Sequence, residues 1–159
     1  LTVSTPSWGK DNTLVISTAY KGGTRALKLI KNDERTSVKE LWFNKRMRLH
    51  HGNMIRLDDV VYSSSGDFGP AFFTALQVST GDVLWKDRSF AKATFLYADK
   101  KFIVLDEGGT LALVKVSNDG PTILAKAKIL EENCWTIPSL VGTTLYLRSR
   151  SRILAVDLG

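Results

Sequence analysis

The chain has 159 residues, of which 43% are hydrophobic and 24% are charged, and its formal net charge is +6. This composition is typical of one globular domain with a sizeable core, and it excludes a low-complexity or disordered chain. The longest apolar runs, such as residues 102–105, are much shorter than the roughly 20 residues that a membrane-spanning helix needs. The single cysteine, Cys134, excludes an internal disulfide and a metal site built from several cysteines.

The positive charge is concentrated near the start of the chain. Residues 1–51 carry ten Lys/Arg and four Asp/Glu, whereas residues 52–159 carry twelve of each. A basic cluster at residues 45–48 stands directly before His50 and His51. Such a surplus fits a polyanion partner such as nucleic acid. We favour solvated charges on strand edges and loops, because edge strands use Lys and Arg to discourage aggregation.

Two series of short apolar segments recur along the chain. The first has the β-branched and aromatic pattern of buried strands and lies at residues 14–17, 61–64, 103–106 and 145–148. The second follows it at residues 26–29, 75–78, 113–116 and 155–158. The spacings are 47, 42 and 42 residues in the first series and 49, 38 and 42 in the second. A period near 40–45 residues predicts propeller blades, each built from four short antiparallel strands.

We therefore predict an all-β chain that forms a partial β-propeller of three to four blades, as one segment over residues 1–159. The predicted repeats lie at about residues 5–45, 50–89, 92–130 and 134–159. No apolar pattern keeps the helical period, so we expect very little helix. An open arc of blades leaves two apolar faces in water, so we expect upstream blades on the amino-terminal side. Closure of a four-bladed ring by this chain alone is the alternative.

A sequence motif in the second repeat supports this prediction. It reads Ala75-Leu76-Gln77-Val78-Ser79-Thr80-Gly81-Asp82-Val83-Leu84-Trp85. It resembles the tryptophan-docking motif of pyrroloquinoline-quinone (PQQ) type propellers, Ala-x-Asp-x-x-Thr-Gly-x-x-x-Trp, although Gln77 replaces the aspartate. Trp42 has the corresponding place in the first repeat. The resemblance implies that Thr80 and Gly81 form the turn between the two outer strands, and that each tryptophan packs between neighbouring blades.

The whole chain resembles the carboxyl-terminal portion of the PQQ-binding-like repeat proteins of unassigned role. This resemblance implies a longer parent chain and a periplasmic or secreted location. Family members that use PQQ have a vicinal cysteine pair over the cofactor and a set of carboxylates that bind calcium. Cys134 cannot supply that pair, and no Asp or Glu here matches the calcium ligands. We therefore expect no cofactor for this chain, and PQQ with calcium would require a longer parent.

The resemblance implies a non-catalytic module, a scaffold for protein or small-ligand binding in the cell envelope. The alternative is the carboxyl-terminal part of a PQQ-dependent quinoprotein dehydrogenase, an oxidoreductase resembling alcohol dehydrogenases, whose cofactor site is completed by upstream blades. The sequence has no Gly-x-Ser-x-Gly elbow, and neither histidine has a partner by spacing. We therefore predict no catalytic residue.

Candidate ligand-binding residues follow from the alignment of the repeats. His51 and Trp135 occupy the same position at the start of innermost strands, which line the central channel of a propeller. We accordingly expect His50, His51, Asn53 and Trp135 at the rim of that channel. Two adjacent histidines suggest a metal site, but neighbours on a strand point to opposite faces, so we expect none.

Two loops complete the set of candidates. The Gly/Ser-rich residues 63–70 contain Asp67, and we interpret them as a hairpin connection in which Asp67 caps the turn, although their backbone N–H groups could meet an anion. Arg148, Arg150 and Arg152 surround a second predicted hairpin tip, where we expect them in solvent.

Overall fold

A computed structural model describes residues 3–131 and 133–159 as strands joined by turns and short connections. Among these residues there is no helix, and so no helical segment of a length and apolarity suited to crossing a bilayer. The strands, in chain order, are β1 (Ser4–Thr5), β2 (Ser7–Trp8), β3 (Thr13–Thr18), β4 (Gly23–Lys31), β5 (Thr36–Asn44), β6 (Gly52–Leu57), β7 (Val60–Ser65), β8 (Phe72–Gln77), β9 (Val83–Asp87), β10 (Ala93–Ala98), β11 (Lys101–Asp106), β12 (Thr110–Ser117), β13 (Gly120–Lys128), β14 (Ser139–Val141), β15 (Thr144–Arg148) and β16 (Ile153–Asp157).

The strands form four sheets that follow one another along the chain. The first sheet is β2-β3-β4-β5, the second β6-β7-β8-β9, the third β10-β11-β12-β13 and the fourth β14-β15-β16. Consecutive strands within each sheet pair antiparallel, and β1 adds to the inner edge of the second sheet in parallel with β6. The strands are short and joined by tight turns, which is the construction of a propeller blade.

Successive sheets pack face to face through hydrophobic clusters. One cluster lies between the first and second sheets and includes Val15, Leu49 and Val61. A second lies between the second and third sheets around Phe73, Phe95 and Phe102. A third joins the third and fourth sheets, and its buried members are Ile103, Leu105, Leu130, Cys134, Leu145 and Leu147. Each sheet therefore keeps the apolar face of its neighbour from water.

The second strand of each sheet is buried differently in the two inner sheets (the second and third) and in the two outer sheets (the first and fourth). In β7 and β11 five consecutive residues are buried, so both faces of these strands are covered. In β3 and β15 buried residues alternate with less buried ones, so only one face is covered. Tyr146 on β15 and Ile153 on β16 are 44% and 74% exposed. Within residues 3–131 and 133–159, the four sheets thus form an arc whose two outer faces have no neighbouring sheet.

Two tryptophans join neighbouring sheets at the outer strands. Trp42 Nε1 donates a hydrogen bond of 2.6 Å to the carbonyl of Val78, and Trp85 Nε1 donates one of 3.0 Å to the carbonyl of Ser117. Gly81, in the turn between β8 and β9, has φ of +80°, and an added Cβ would lie 2.6 Å from Trp42 Cδ2. Glycine therefore serves both the turn and the packing of the indole from the preceding sheet.

Candidate binding surface at the channel rim

Two kinds of connection between strands lie at the same end of the sheets. In an antiparallel sheet the first strand begins, and the second ends, at the same end. The turns that follow each second strand and the connections that precede each first strand therefore meet there, and we call this end the channel rim. The turn after β3 carries Tyr20, the loop after β7 carries Phe68, the connection before β6 carries His50 and His51, and the connection before β14 carries Trp135.

Five ring side chains form a continuous row across the channel rim. Tyr20 Oη and His50 Nε2 are 2.7 Å apart, and the Tyr20 ring lies 5.1 Å from that of Phe68. The His50 and His51 rings are 3.9 Å apart, and His51 stacks on Trp135 at 4.2 Å with an interplanar angle of 9°. We call these residues the rim aromatic row. It joins the first, second and fourth sheets, and its two end members are open to solvent: Phe68 is 79% and Trp135 47% exposed.

Two carboxylates interact with the rim aromatic row, Glu107 directly and Asp67 through Arg48. Glu107, in the turn after β11, accepts a hydrogen bond of 3.3 Å from Trp135 Nε1 and lies 3.9 Å from the Lys92 ammonium. Asp67 is buried and lies 3.1 Å from Arg48 Nη1, which also donates to the carbonyl of Tyr20 at 2.9 Å. Asp67 therefore acts as a counter-ion that positions Arg48 and, through it, the Tyr20 turn.

Both histidines are held towards the neutral form. Burial lowers the pKa of His50, and the nearby Lys92 ammonium lowers it further. Burial also lowers the pKa of His51, with added repulsion from His50 and Lys92. His50 Nδ1 is buried without a hydrogen-bond partner in the described part of the chain. Uncharged imidazoles let the row act as one weakly polar surface that can bury against an apolar partner.

The expected orientation of the two histidines was wrong. His50 and His51 do not point to opposite faces of a strand, because they lie in the connection before β6 and their rings are in contact. Across residues 3–131 and 133–159, no three His, Cys, Asp or Glu side chains converge as a metal site would require.

Asn53 lies in β6 with its amide turned into the structure. Its Nδ2 donates to the carbonyl of Phe95 at 2.7 Å, and its Oδ1 accepts from the N–H of Phe95 at 2.9 Å. Asn53 is 6% exposed. The side chain thus links the innermost strands of the second and third sheets, and both of its polar groups are already used. Asn53 is close to His50 and His51 in the sequence, but its role differs from theirs, because it joins two strands and does not contribute to the exposed rim.

Sequence reasoning missed four residues of this surface: Tyr20, Phe68, Lys92 and Glu107. They lie in turns and connections, where no hydrophobic period marks them. A usable signal was their position, since Tyr20, Phe68 and Glu107 each follow the second strand of a sheet, as the aligned repeats would place them.

Arg148, Arg150 and Arg152 lie at the β15–β16 hairpin and are exposed. Together with Trp135, Arg148 and Arg150 border a shallow cleft of about 280 Å³. In the residues that the structure describes, these three guanidinium groups have no carboxylate partner.

Comparison with known proteins defines the fold class. No family model matches the chain, and no curated protein matches it. Among solved structures it is similar to BamB from Moraxella catarrhalis, with a TM-score of 0.54 and 15% sequence identity over 97% of this chain and 56% of BamB. A computationally designed protein, Ika8, matches with a TM-score of 0.41 and 10% identity over 98% of this chain and 70% of its own length. The chain spans about half the length of the BamB structure.

The likeness to BamB confirms the all-β, propeller-type fold predicted from the repeats. The chain is thus an arc of β-propeller blades with a ring-lined rim.

Proposed function

We propose that this chain is a non-catalytic, PQQ-type propeller module that binds a protein partner through the rim aromatic row. The observation that carries the proposal is the row itself, which spans three sheets and exposes Phe68 and Trp135. Aromatic side chains held in place by their neighbours are the usual anchors of protein interfaces, because they bury a large area at low entropic cost. The hydrogen bonds of Tyr20 and Trp135 hold the row in place before binding.

The PQQ-type assignment rests on the docking motif around Trp85. In the structure Thr80 and Gly81 lie in the turn between the two outer strands, and Trp85 packs towards the next sheet, as that motif requires. The resemblance of the whole chain to the PQQ-binding-like repeat proteins implies a periplasmic or secreted location, and we propose that location here.

The first partner we propose is a set of further blades in the same parent chain. The outer faces of the first and fourth sheets expose apolar residues, among them Val38 at 60% and Ile153 at 74%. Upstream blades would cover such faces in the way that the second and third sheets cover each other.

Photo-crosslinking in the source cell tests the binding role. Benzoylphenylalanine replaces Phe68 in one variant and Leu84, on the outer strand β9 of the second sheet, in a matched control. The proposal expects discrete adducts with one protein from position 68, which disappear on adding Trp135→Ala and His51→Ala. Position 84 should give none of these adducts. Equal adducts from both positions, or none from position 68, would contradict a binding role for the row.

The alternative function, part of a quinoprotein dehydrogenase, is favoured by the docking motif alone. The residues present do not fit PQQ: there is one cysteine, and Cys134 is buried at 1% exposure with Sγ 3.0 Å from the carbonyl of Glu131. A dye-reduction assay with an alcohol substrate and added PQQ and Ca²⁺ separates the two functions. Reduction that requires both additions would establish the dehydrogenase and overturn the scaffold.

A further inference from the structure

Positively and negatively charged residues are distributed unequally between the two ends of the sheets. The channel rim connections lie at residues 19–22, 45–51, 66–71, 88–92, 107–109, 129–138 and 149–152, with residue 132 outside the described part. Their described residues include eight cations and three carboxylates: Lys21, Lys45, Arg46, Arg48, Arg88, Lys92, Arg150 and Arg152 against Asp67, Glu107 and Glu131.

The opposite rim has the reverse balance. It is formed by the turns at residues 9–12, 32–35, 58–59, 78–82, 99–100, 118–119 and 142–143. These turns carry three cations and eight carboxylates: Lys10, Arg35 and Lys100 against Asp11, Asp33, Glu34, Asp58, Asp59, Asp82, Asp99 and Asp119. Such an asymmetry creates a field along the channel axis that attracts an anionic partner to the channel rim and repels it from the other.

Four of the eight cations of the channel rim line one cleft. Tyr20, Lys21, Lys45, Arg46 and Arg48 line a cleft of about 360 Å³ at the junction of the first and second sheets, which we call the basic cleft. Within the described residues, Arg48 alone of its four cations has a carboxylate partner, Asp67. The basic cleft adjoins the rim aromatic row, because Tyr20 belongs to both.

We propose, on the basis of the protein-binding role above, that the basic cleft takes an acidic peptide segment of the partner. Carboxylates of the segment would pair with Lys21, Lys45 and Arg46, while an adjacent apolar side chain would pack on Phe68 and Tyr20. A cleft of cations beside an exposed phenyl ring matches alternating acidic and apolar side chains. A nucleic-acid backbone needs a longer cationic track, which Asp67 and Glu107 interrupt.

Fluorescence anisotropy with a defined peptide tests this partner class. The probe is a fluorescein-labelled Glu-Glu-Phe-Glu-Glu-Leu peptide, and its control has glutamine in place of every glutamate. We expect Lys45→Gln with Arg46→Gln to weaken binding of the acidic probe about tenfold, from the loss of two partly exposed ion pairs. The matched control, Lys10→Gln with Arg35→Gln on the opposite rim, removes the same charge and should change affinity less than twofold. Circular dichroism melting of both variants controls for folding.

Several results would overturn the inference. Equal weakening by the two double variants would mean attraction by net charge alone, and equal binding of the glutamine peptide would remove the role of the carboxylates. Tighter binding of a 12-nucleotide single strand, or of phosphatidylglycerol vesicles, through Lys45 and Arg46 would assign the cleft to another polyanion. Self-association in sedimentation experiments that Lys45→Gln with Arg46→Gln abolishes would assign it to a second copy of this chain.

The photo-crosslinking experiment separates this inference from the proposed function. Adducts from position 68 that persist when Lys45 and Arg46 are replaced by glutamine would leave the binding role intact and refute the acidic partner. The absence of any adduct from position 68 would refute the binding role itself.

Discussion

Replacing Asn53 with alanine should destabilise the chain far more than a surface substitution does. The amide of Asn53 pairs with both backbone polar groups of Phe95, an arrangement that imitates one rung of a β-ladder between two innermost strands. Alanine removes both partners at once. The N–H and the carbonyl of Phe95 that faced Asn53 then lose these hydrogen bonds in a buried setting.

The magnitude follows from those two groups. Each buried polar group that loses its partner costs about 1–3 kcal/mol, and water entering from the channel would recover part of this. We therefore expect Asn53→Ala to lower the free energy of unfolding by about 2–4 kcal/mol. This is a large fraction of the roughly 5–15 kcal/mol that stabilises a typical domain.

Urea denaturation followed by circular dichroism measures the effect. The matched control is Asn118→Ala, at an exposed position in the turn between β12 and β13. We expect the control to change the free energy of unfolding by about 0.5 kcal/mol or less. Equal losses for Asn53→Ala and Asn118→Ala would refute the idea that a side-chain amide joins the two innermost strands.

Three further predictions concern the sheet junctions and the rim. Ala125 occupies the place in the third sheet that Trp42 and Trp85 occupy in the first two, and it borders an apolar groove of about 400 Å³. Because an indole would fill that groove, Ala125→Trp should raise the free energy of unfolding, measured by urea titration, by about 1 kcal/mol. A loss of stability would contradict the docking role of the indole. Because burial holds the pKa values of His50 and His51 below 6.5, the unfolded chain binds more protons, so their contribution to stability should be full well above pH 6.5 and should be lost as the pH falls through and below 6.5. His50→Gln with His51→Gln should flatten that part of the pH profile, and an unchanged profile would refute the assignment. Burial raises the pKa of the Cys134 thiol, so dithionitrobenzoate should label it at least about tenfold more slowly in the native chain than in urea, and equal rates would show an accessible thiol.

The fold could be predicted because the second strand of each sheet is buried on at least one face. The segments at residues 14–17, 61–64, 103–106 and 145–148 all lie within second strands, β3, β7, β11 and β15. Burial restricts those positions to β-branched, aliphatic and aromatic residues, so the repeat is visible in one sequence.

The rim could be predicted only in part. Spacing placed His51 and Trp135 at equivalent positions, but equivalence between blades does not reveal that two side chains will stack. The predicted orientation of the His50 side chain was wrong, because a strand geometry was assumed for residues that lie in the connection before β6. The partner of the Asn53 amide could not be predicted either. The sequence shows that asparagine has a donor and an acceptor, but it does not show that they will bind the backbone of a residue 42 positions away.

Whether the sheets are stacked radially, with an indole docked between the first and second sheets, is tested most directly by nuclear Overhauser effects between Trp42 and Gly81. These residues lie on neighbouring sheets, and the Gly81 backbone packs against the Trp42 indole. The structure predicts strong effects from the Trp42 ring protons to the Gly81 Hα protons, with an upfield ring-current shift of the latter. Absence of both, with Trp42 in contact with its own sheet alone, would contradict the propeller arrangement.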